Sequence, residues 1–195
     1  MQPISPPPIN IVTDLATCSG EQRGSVTIYC PCCEGLDGGV FESIALLPIH
    51  DSNGLLLAGL RNGITSQRQI FAGVLAHDPF RRHQDILKAL KIAGCRGIVN
   101  FPSITAIDGE MRASLEEFGC GVKAEIELLH AAVDQGFSAL ALVDDFAIAK
   151  EAVAAGVDGL VTARRKDERV LGELSELAQE TTLGLFRLPD AIGQA

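Results

Sequence analysis

Three stretches of this chain close in the same way, with a helical segment, a glycine, two residues and a short apolar run. They are residues 88–101, 130–143 and 150–163, with Gly94, Gly136 and Gly156 at the joints. Glycine reaches positive φ just past a helix end without steric cost. The apolar runs that follow suit strands buried on both faces. A recurring helix–glycine–strand unit predicts a parallel α/β fold, a TIM (β/α) barrel. Barrels of this kind carry their chemistry at the C-terminal ends of the strands, so the fold itself narrows the search for a site.

The same reading predicts strands at 9–15, 25–30, 69–76, 97–101, 138–144, 159–163 and 182–186. Helices are expected at 52–63, 79–93, 123–135, 147–155 and 167–180, where apolar residues such as Ile86, Leu87 and Leu90 recur at helical spacing. Seven strands are one short of the usual eight, and 195 residues are few for a barrel that typically takes about 250. The expectation is therefore a shortened or imperfectly closed barrel, one domain over 9–195 behind a flexible, proline-rich tail at 1–8. An open sheet edge invites pairing, so the tail or a second copy of the chain should cover it. Two stretches break the alternation, a Gly- and Cys-rich loop at 30–47 and a long excursion at 101–123. Loops of that length in a compact fold usually form lids or binding loops.

A formal net charge of -9 argues against nucleic acid as a partner, since phosphate contacts need a basic face. No apolar run is long enough to span a bilayer, and the N-terminus has no signal-peptide pattern. The expectation is a cytoplasmic protein without a membrane partner. Apolar helix faces with little chain left to cover them predict a homodimer or higher oligomer. Six cysteines in such a chain read as free thiols. Cys30-Pro31-Cys32-Cys33 invites a metal or redox reading, but no second pair of cysteines completes a four-ligand zinc site. Buried thiols are the commoner use of such residues.

Strand ends nominate the candidate site. His77-Asp78 can serve acid–base chemistry, with Asp78 alternatively capping a helix that starts at Pro79. Asn100 leaves an apolar strand and should face a pocket or bond a loop backbone. Asp144-Asp145 can hold a divalent cation or cap the following helix. Arg164 and Arg165 can grip a carboxylate or phosphate, and Glu116 sits in the long excursion. No glycine-rich phosphate loop, nucleophile elbow or paired-histidine zinc motif is present.

A resemblance adds to this reading. Ala72-Gly-Val-Leu-Ala-His77-Asp78-Pro-Phe80, Gly97-Ile-Val-Asn100-Phe-Pro102, and Ile107-Asp108-Gly109 followed by Arg112, Leu115-Glu116-Glu117, Gly119, Gly121 and Glu125 closely resemble one family. It is the TIM-barrel family named for phosphoenolpyruvate hydrolase, also described as TIM-barrel signal-transduction proteins. A related domain occurs in plant tobamovirus-resistance proteins. Upstream, Ile28-Tyr29 and Leu46-Leu-Pro48, Asp51 and Asn53 fit the same pattern. The resemblance implies an enzyme acting on a small carboxylated or phosphorylated oxo-acid, with a divalent cation such as Mg²⁺ as cofactor. On that reading His77, Asp78 and Asn100 are catalytic, Arg112, Glu116, Arg164 and Arg165 bind substrate, and Asp78 and Asp144 hold the metal.

The chain also departs from the family. After Tyr29 the family carries Asn-Ser-Gly-Arg, where this chain has Cys30-Pro31-Cys32-Cys33. A histidine-bearing strand end is replaced by Thr162-Ala163-Arg164-Arg165, and a closing Cys-His-Gly-Gly-Pro stretch is absent. The alternative reading is thus a diverged, non-catalytic barrel that binds a ligand or a signalling partner.

Overall fold

A computed structural model describes residues 6–17, 26–36, 41–47, 49–61, 70–163, 167–190 and 192. All seven expected strands are present: β1 (Asn10–Val12), β2 (Thr27–Tyr29), β3 (Ile70–Gly73), β4 (Gly97–Val99), β5 (Ser138–Val143), β6 (Gly159–Thr162) and β7 (Gly184–Arg187). They form a single parallel sheet in sequence order. The sheet curls into an imperfect barrel whose first and last strands meet through one parallel bridge, Pro8 to Arg187. Ile9 N–H donates to Arg187 O at 2.8 Å and Arg187 N–H donates to Pro7 O at 3.0 Å. Residues assigned to the tail from sequence thus cover the free edge.

Side chains alternate across the strands. Ile11, Ile28, Phe71, Val99, Leu140, Leu142 and Val161 point inward and pack with Phe41, Phe101 and three cysteines. Val12, Tyr29, Ala72, Ile98, Ala139, Ala141 and Leu160 point outward into a second apolar layer, under the helices. Burial of both faces explains why the strands read as unbroken apolar runs. Inside the barrel, glycines yield to large neighbours: a Cβ on Gly97 would stand 2.7 Å from the Phe71 ring, its partner across the register.

The helices are α1 (Phe41–Leu46), α2 (Ser52–Gly59), α3 (His83–Ile92), α4 (Gly109–Glu117), α5 (Val122–Asp134), α6 (Phe146–Ala154) and α7 (Glu168–Glu180). None is long and apolar enough to cross a membrane among the described residues. Gly94, Gly136 and Gly156 have φ of 79°, 83° and 86°. After each, the next residue's N–H reaches back five positions, Cys95 to Leu90 O, Phe137 to Ala132 O and Val157 to Ala152 O. This is the Schellman termination, with the residue after the glycine buried. Two further helices end the same way. Gly119 (φ 73°) closes α4, and Thr182 (φ 57°) closes α7, with Leu183 N–H donating to Ala178 O at 2.8 Å.

Four local expectations are corrected. The excursion at 101–123 contains α4, and the loop at 30–47 contains α1. Thr182 belongs to a helix end, so β7 begins at Gly184. Helix α3 begins at His83 rather than at Pro79, because the Asp78 carboxylate accepts from Phe80 N–H (2.7 Å) and Arg81 N–H (3.1 Å) and closes a turn there. The Asp144-Asp145 pair does start a helix: Asp145 accepts from Ile148 N–H at 2.8 Å and caps α6. Residues 62–63, expected in α2, lie outside the described residues.

Candidate functional site

Beyond the C-terminal ends of β2 and β3 lies a cavity of about 570 Å³. Its apolar wall includes Leu46, Ile104, Ile107, Met111 and Leu115, contributed by α1, α4 and a short 3₁₀ turn at Ile104–Ala106. Its polar side is built from His50, Asp51, Ser52, Asn53, His77 and Asp78. An apolar pocket with a few convergent polar groups is the ordinary form of a small-molecule site.

The polar side is held by two networks. In the first, the Asn53 amide pins the loop after β3: its Nδ2 donates to Leu75 O (2.9 Å) and to Asp78 Oδ2 (2.8 Å), while Leu75 N–H donates to its Oδ1 (3.1 Å). Arg81 then bridges Asp78 (3.3 Å) and Asp51, gripping Asp51 through two 2.7 Å bonds. Asp51 also accepts from Gly54 N–H at 2.8 Å and caps α2. The Arg81 guanidinium holds the Asp51 carboxyl below the usual carboxylate range. His83 supports the loop from below, its Nε2 lying 2.8 Å from Ala76 O.

The second network centres on Glu125, whose side chain is fully buried on the inner face of α5. Its Oε2 accepts from Asn100 Nδ2 (2.7 Å) and Ser103 Oγ (2.7 Å), and its Oε1 accepts from Ile104 N–H (2.8 Å). Asn100 meanwhile ties β4 to β5, donating to Leu142 O (3.1 Å) and accepting from Leu142 N–H (2.7 Å). His77 completes the arrangement. Its Nε2 lies 3.7 Å from Glu125 Oε1, is buried, and makes no hydrogen bond to the protein. A ring nitrogen without a protein partner, facing a carboxylate across a gap, can take a proton and have the resulting charge balanced.

Of the three residues nominated as catalytic, His77 and Asn100 converge on the Glu125 carboxylate, whereas Asp78 faces Asn53 and Arg81. Asn100 is buried behind the cavity, and its amide is spent on Glu125 and on the β5 backbone. Arg112 and Glu116 lie on α4. Arg112 makes a two-pronged ion pair with Asp144, through both terminal nitrogens, and Glu116 accepts from Val122 N–H at 3.2 Å. Arg164 and Arg165 lie outside the described residues.

Protein donors already occupy the Asp78 and Asp144 carboxylates, and among the described residues neither belongs to a cluster of three or more potential metal ligands. Sequence reasoning placed Glu125 and Asn53 in the family pattern without nominating either for the site, although a glutamate among Val122, Leu128, Leu129 and Ala132 on a buried helix face was a visible signal. His50 it did not single out.

Residues 38–169 match the phosphoenolpyruvate hydrolase-like family, and this stretch contains both networks and the cavity. The uncharacterized protein y4oT of Sinorhizobium fredii is 62% identical over 191 residues, which cover 98% of this chain and 97% of that protein. The ToMV resistance protein Tm-1(GCR237) of Solanum lycopersicum is 39% identical over 93 residues, 47% of this chain and 12% of the much longer plant protein. The ToMV susceptible protein tm-1(GCR26) of the same plant is 38% identical over an equal length. With the family match spanning more than half of its length, the chain belongs to the phosphoenolpyruvate hydrolase-like family.

Proposed function

We propose that this chain is an enzyme that binds a small carboxylated oxo-acid in the cavity beyond β2 and β3, with His77 as the proton-transfer group. The observation that carries this reading is the geometry of His77. It lines the cavity, its Nε2 has no protein hydrogen bond, and Glu125 lies 3.7 Å away to balance the imidazolium. Asn100, Ser103 and the Ile104 amide are positioning groups, since they fix the carboxylate and leave the imidazole to act on the ligand.

The test is a thermal-shift titration with phosphoenolpyruvate, oxaloacetate and pyruvate, followed by a direct assay of product release from whichever compound binds. Binding raises the melting temperature by mass action. His77→Gln should retain that shift and lose turnover by about 10²-fold or more, the usual scale of a general acid–base contribution. Turnover unchanged in His77→Gln overturns the assignment.

One observation favours a second reading, a non-catalytic ligand or protein-binding barrel. The cavity rim carries exposed apolar side chains, with Ile49 at 65%, Phe80 at 72% and Met111 at 53%. Arg81 and Arg112 are meanwhile paired with carboxylates rather than free for a substrate anion. A ligand shift without turnover of any of the three compounds would favour this reading.

A further inference from the structure

We propose that Cys30, Cys32 and Cys33, with His50, form a zinc site beside the cavity. Cys30 follows β2 and packs with the inner apolar layer, and Pro31–Cys33 turn once as a 3₁₀ helix, fixed by Cys33 N–H donating to Cys30 O at 3.1 Å. Residues three apart eclipse in such a turn, so Cys33 comes round to the side of Cys30. The sulfurs of Cys30 and Cys32 are 3.3 Å apart, those of Cys30 and Cys33 3.7 Å, and all three lie within 4.8 Å of one another. Two thiolates on one tetrahedral zinc, each at ~2.3 Å, stand roughly 3.8 Å apart. The observed spacing is therefore close to that of a bound triad.

Two features distinguish this cluster from ordinary buried thiols. Gly73 leaves room for it, since a Cβ there would come within 3.2 Å of the Cys30 sulfur. Polar groups also converge on it. His50 and Ser52 stand beside Cys32. Yet His50 Nε2 and Ser52 Oγ are buried and have no hydrogen-bond partner of their own. Ser52 as a whole is only 5% exposed. Buried polar atoms without partners ask for an explanation, and a cation held by three sulfurs supplies one. The second cysteine pair that the sequence lacks is replaced by a histidine from the segment just before α2, giving the Cys₃His donor set of structural zinc sites. The cluster does not depend on the role of His77.

Loading involves no electron transfer. Each sulfur still protonated gives its proton to solvent as its bond to zinc forms, and His50 binds as the neutral imidazole.

The experiment is a titration of the reduced, folded chain with Co²⁺ as a spectroscopic probe, followed by displacement with Zn²⁺. The expected result is one metal per chain, with thiolate-to-cobalt charge-transfer absorption and the intense visible bands of a tetrahedral site. Cys32→Ser should lose that absorption. His50→Ala should keep the charge-transfer band but bind at least tenfold more weakly. Zn²⁺ should raise the melting temperature of the parent chain and leave that of Cys33→Ala unmoved, and circular dichroism of each apo-variant establishes that it folds. No charge-transfer band in the reduced parent, or equal binding by Cys32→Ser, overturns the proposal. So does recovery of the parent with a Cys30–Cys32 disulfide that, once reduced, takes up no metal.

Discussion

Removing the Glu125 carboxylate should be among the most damaging single changes to this fold, and the structure says by how much. Three donors lose their acceptor in Glu125→Ala. Asn100 Nδ2 keeps Leu142 O at 3.1 Å, and the Ser103 hydroxyl can turn to Thr105 Oγ1 at 3.0 Å. The Ile104 amide has no other acceptor in this geometry. One buried, orphaned donor costs about 1–3 kcal/mol, and each lost bond to a charged acceptor costs about 1 kcal/mol more once its donor re-pairs elsewhere. The sum is about 4 kcal/mol, a large part of the 5–15 kcal/mol typical of a folded domain.

Glu125→Gln keeps the shape and one acceptor oxygen, but turns an NH₂ toward either the Ile104 amide or the Asn100 amide. About 2 kcal/mol is expected. Urea unfolding of the parent and both variants, followed by circular dichroism, gives the differences from the midpoints at a common slope. An Asn100→Ala, Glu125→Gln double variant should cost less than the sum of the two single changes, since the two side chains share a bond. Glu125→Ala within 1 kcal/mol of the parent would show that the buried network does not hold β4, β5 and the 3₁₀ turn together.

Two further outcomes follow from the first network. Asp78→Ala should cost about 2 kcal/mol, because it strips the acceptor from Asn53 and from two turn amides, and a fall in melting temperature with the ligand-induced shift intact would identify Asp78 as a structural residue. At low pH, the depressed Asp51 carboxyl contributes stability that is complete above its unfolded value, near 4, and is lost as pH falls through its lower folded value. Melting temperature recorded from neutral pH downward should therefore decline below about pH 4, less steeply in Arg81→Ala, and equal slopes would refute the linkage.

Most strands were legible because both faces of this sheet are covered along β3 to β6, which makes those strands nearly continuous apolar runs. Glycine made the ends of α3, α5 and α6 legible, and the end of α7 falls at 180 as expected without one. Five helices close on the same Schellman geometry, but α7 uses Thr182 at φ 57°, a conformation a β-branched residue seldom adopts. Nothing in the sequence announces a threonine in that role, so the residue reads as the start of a strand. Helix α4 was hidden differently. None of its residues is buried, because its apolar side chains Met111 and Leu115 face an open cavity rather than the core, so no clear apolar stripe sets it apart from a loop.

The site divides along the same line. His77 and Asn100 stood out as polar residues at the ends of apolar strands, a position that depends only on local pattern. What joins them is Glu125, 25 residues beyond Asn100 in the chain and on another element, and local pattern does not report which distant residue a buried amide will meet. Asp78 shows the converse: Asp-Pro is a strong helix-start signal, yet the carboxylate was drawn into a turn by the Arg81 and Asn53 donors that tertiary packing places around it. The cysteines combine both cases. Their sequence spacing set three sulfurs on one turn, whereas the fourth donor, His50, reaches them only because α2 packs its leading residues against that turn. A metal site completed in this way is invisible to a search for paired motifs, and its test lies in whether His50→Ala weakens binding that the three thiols alone begin.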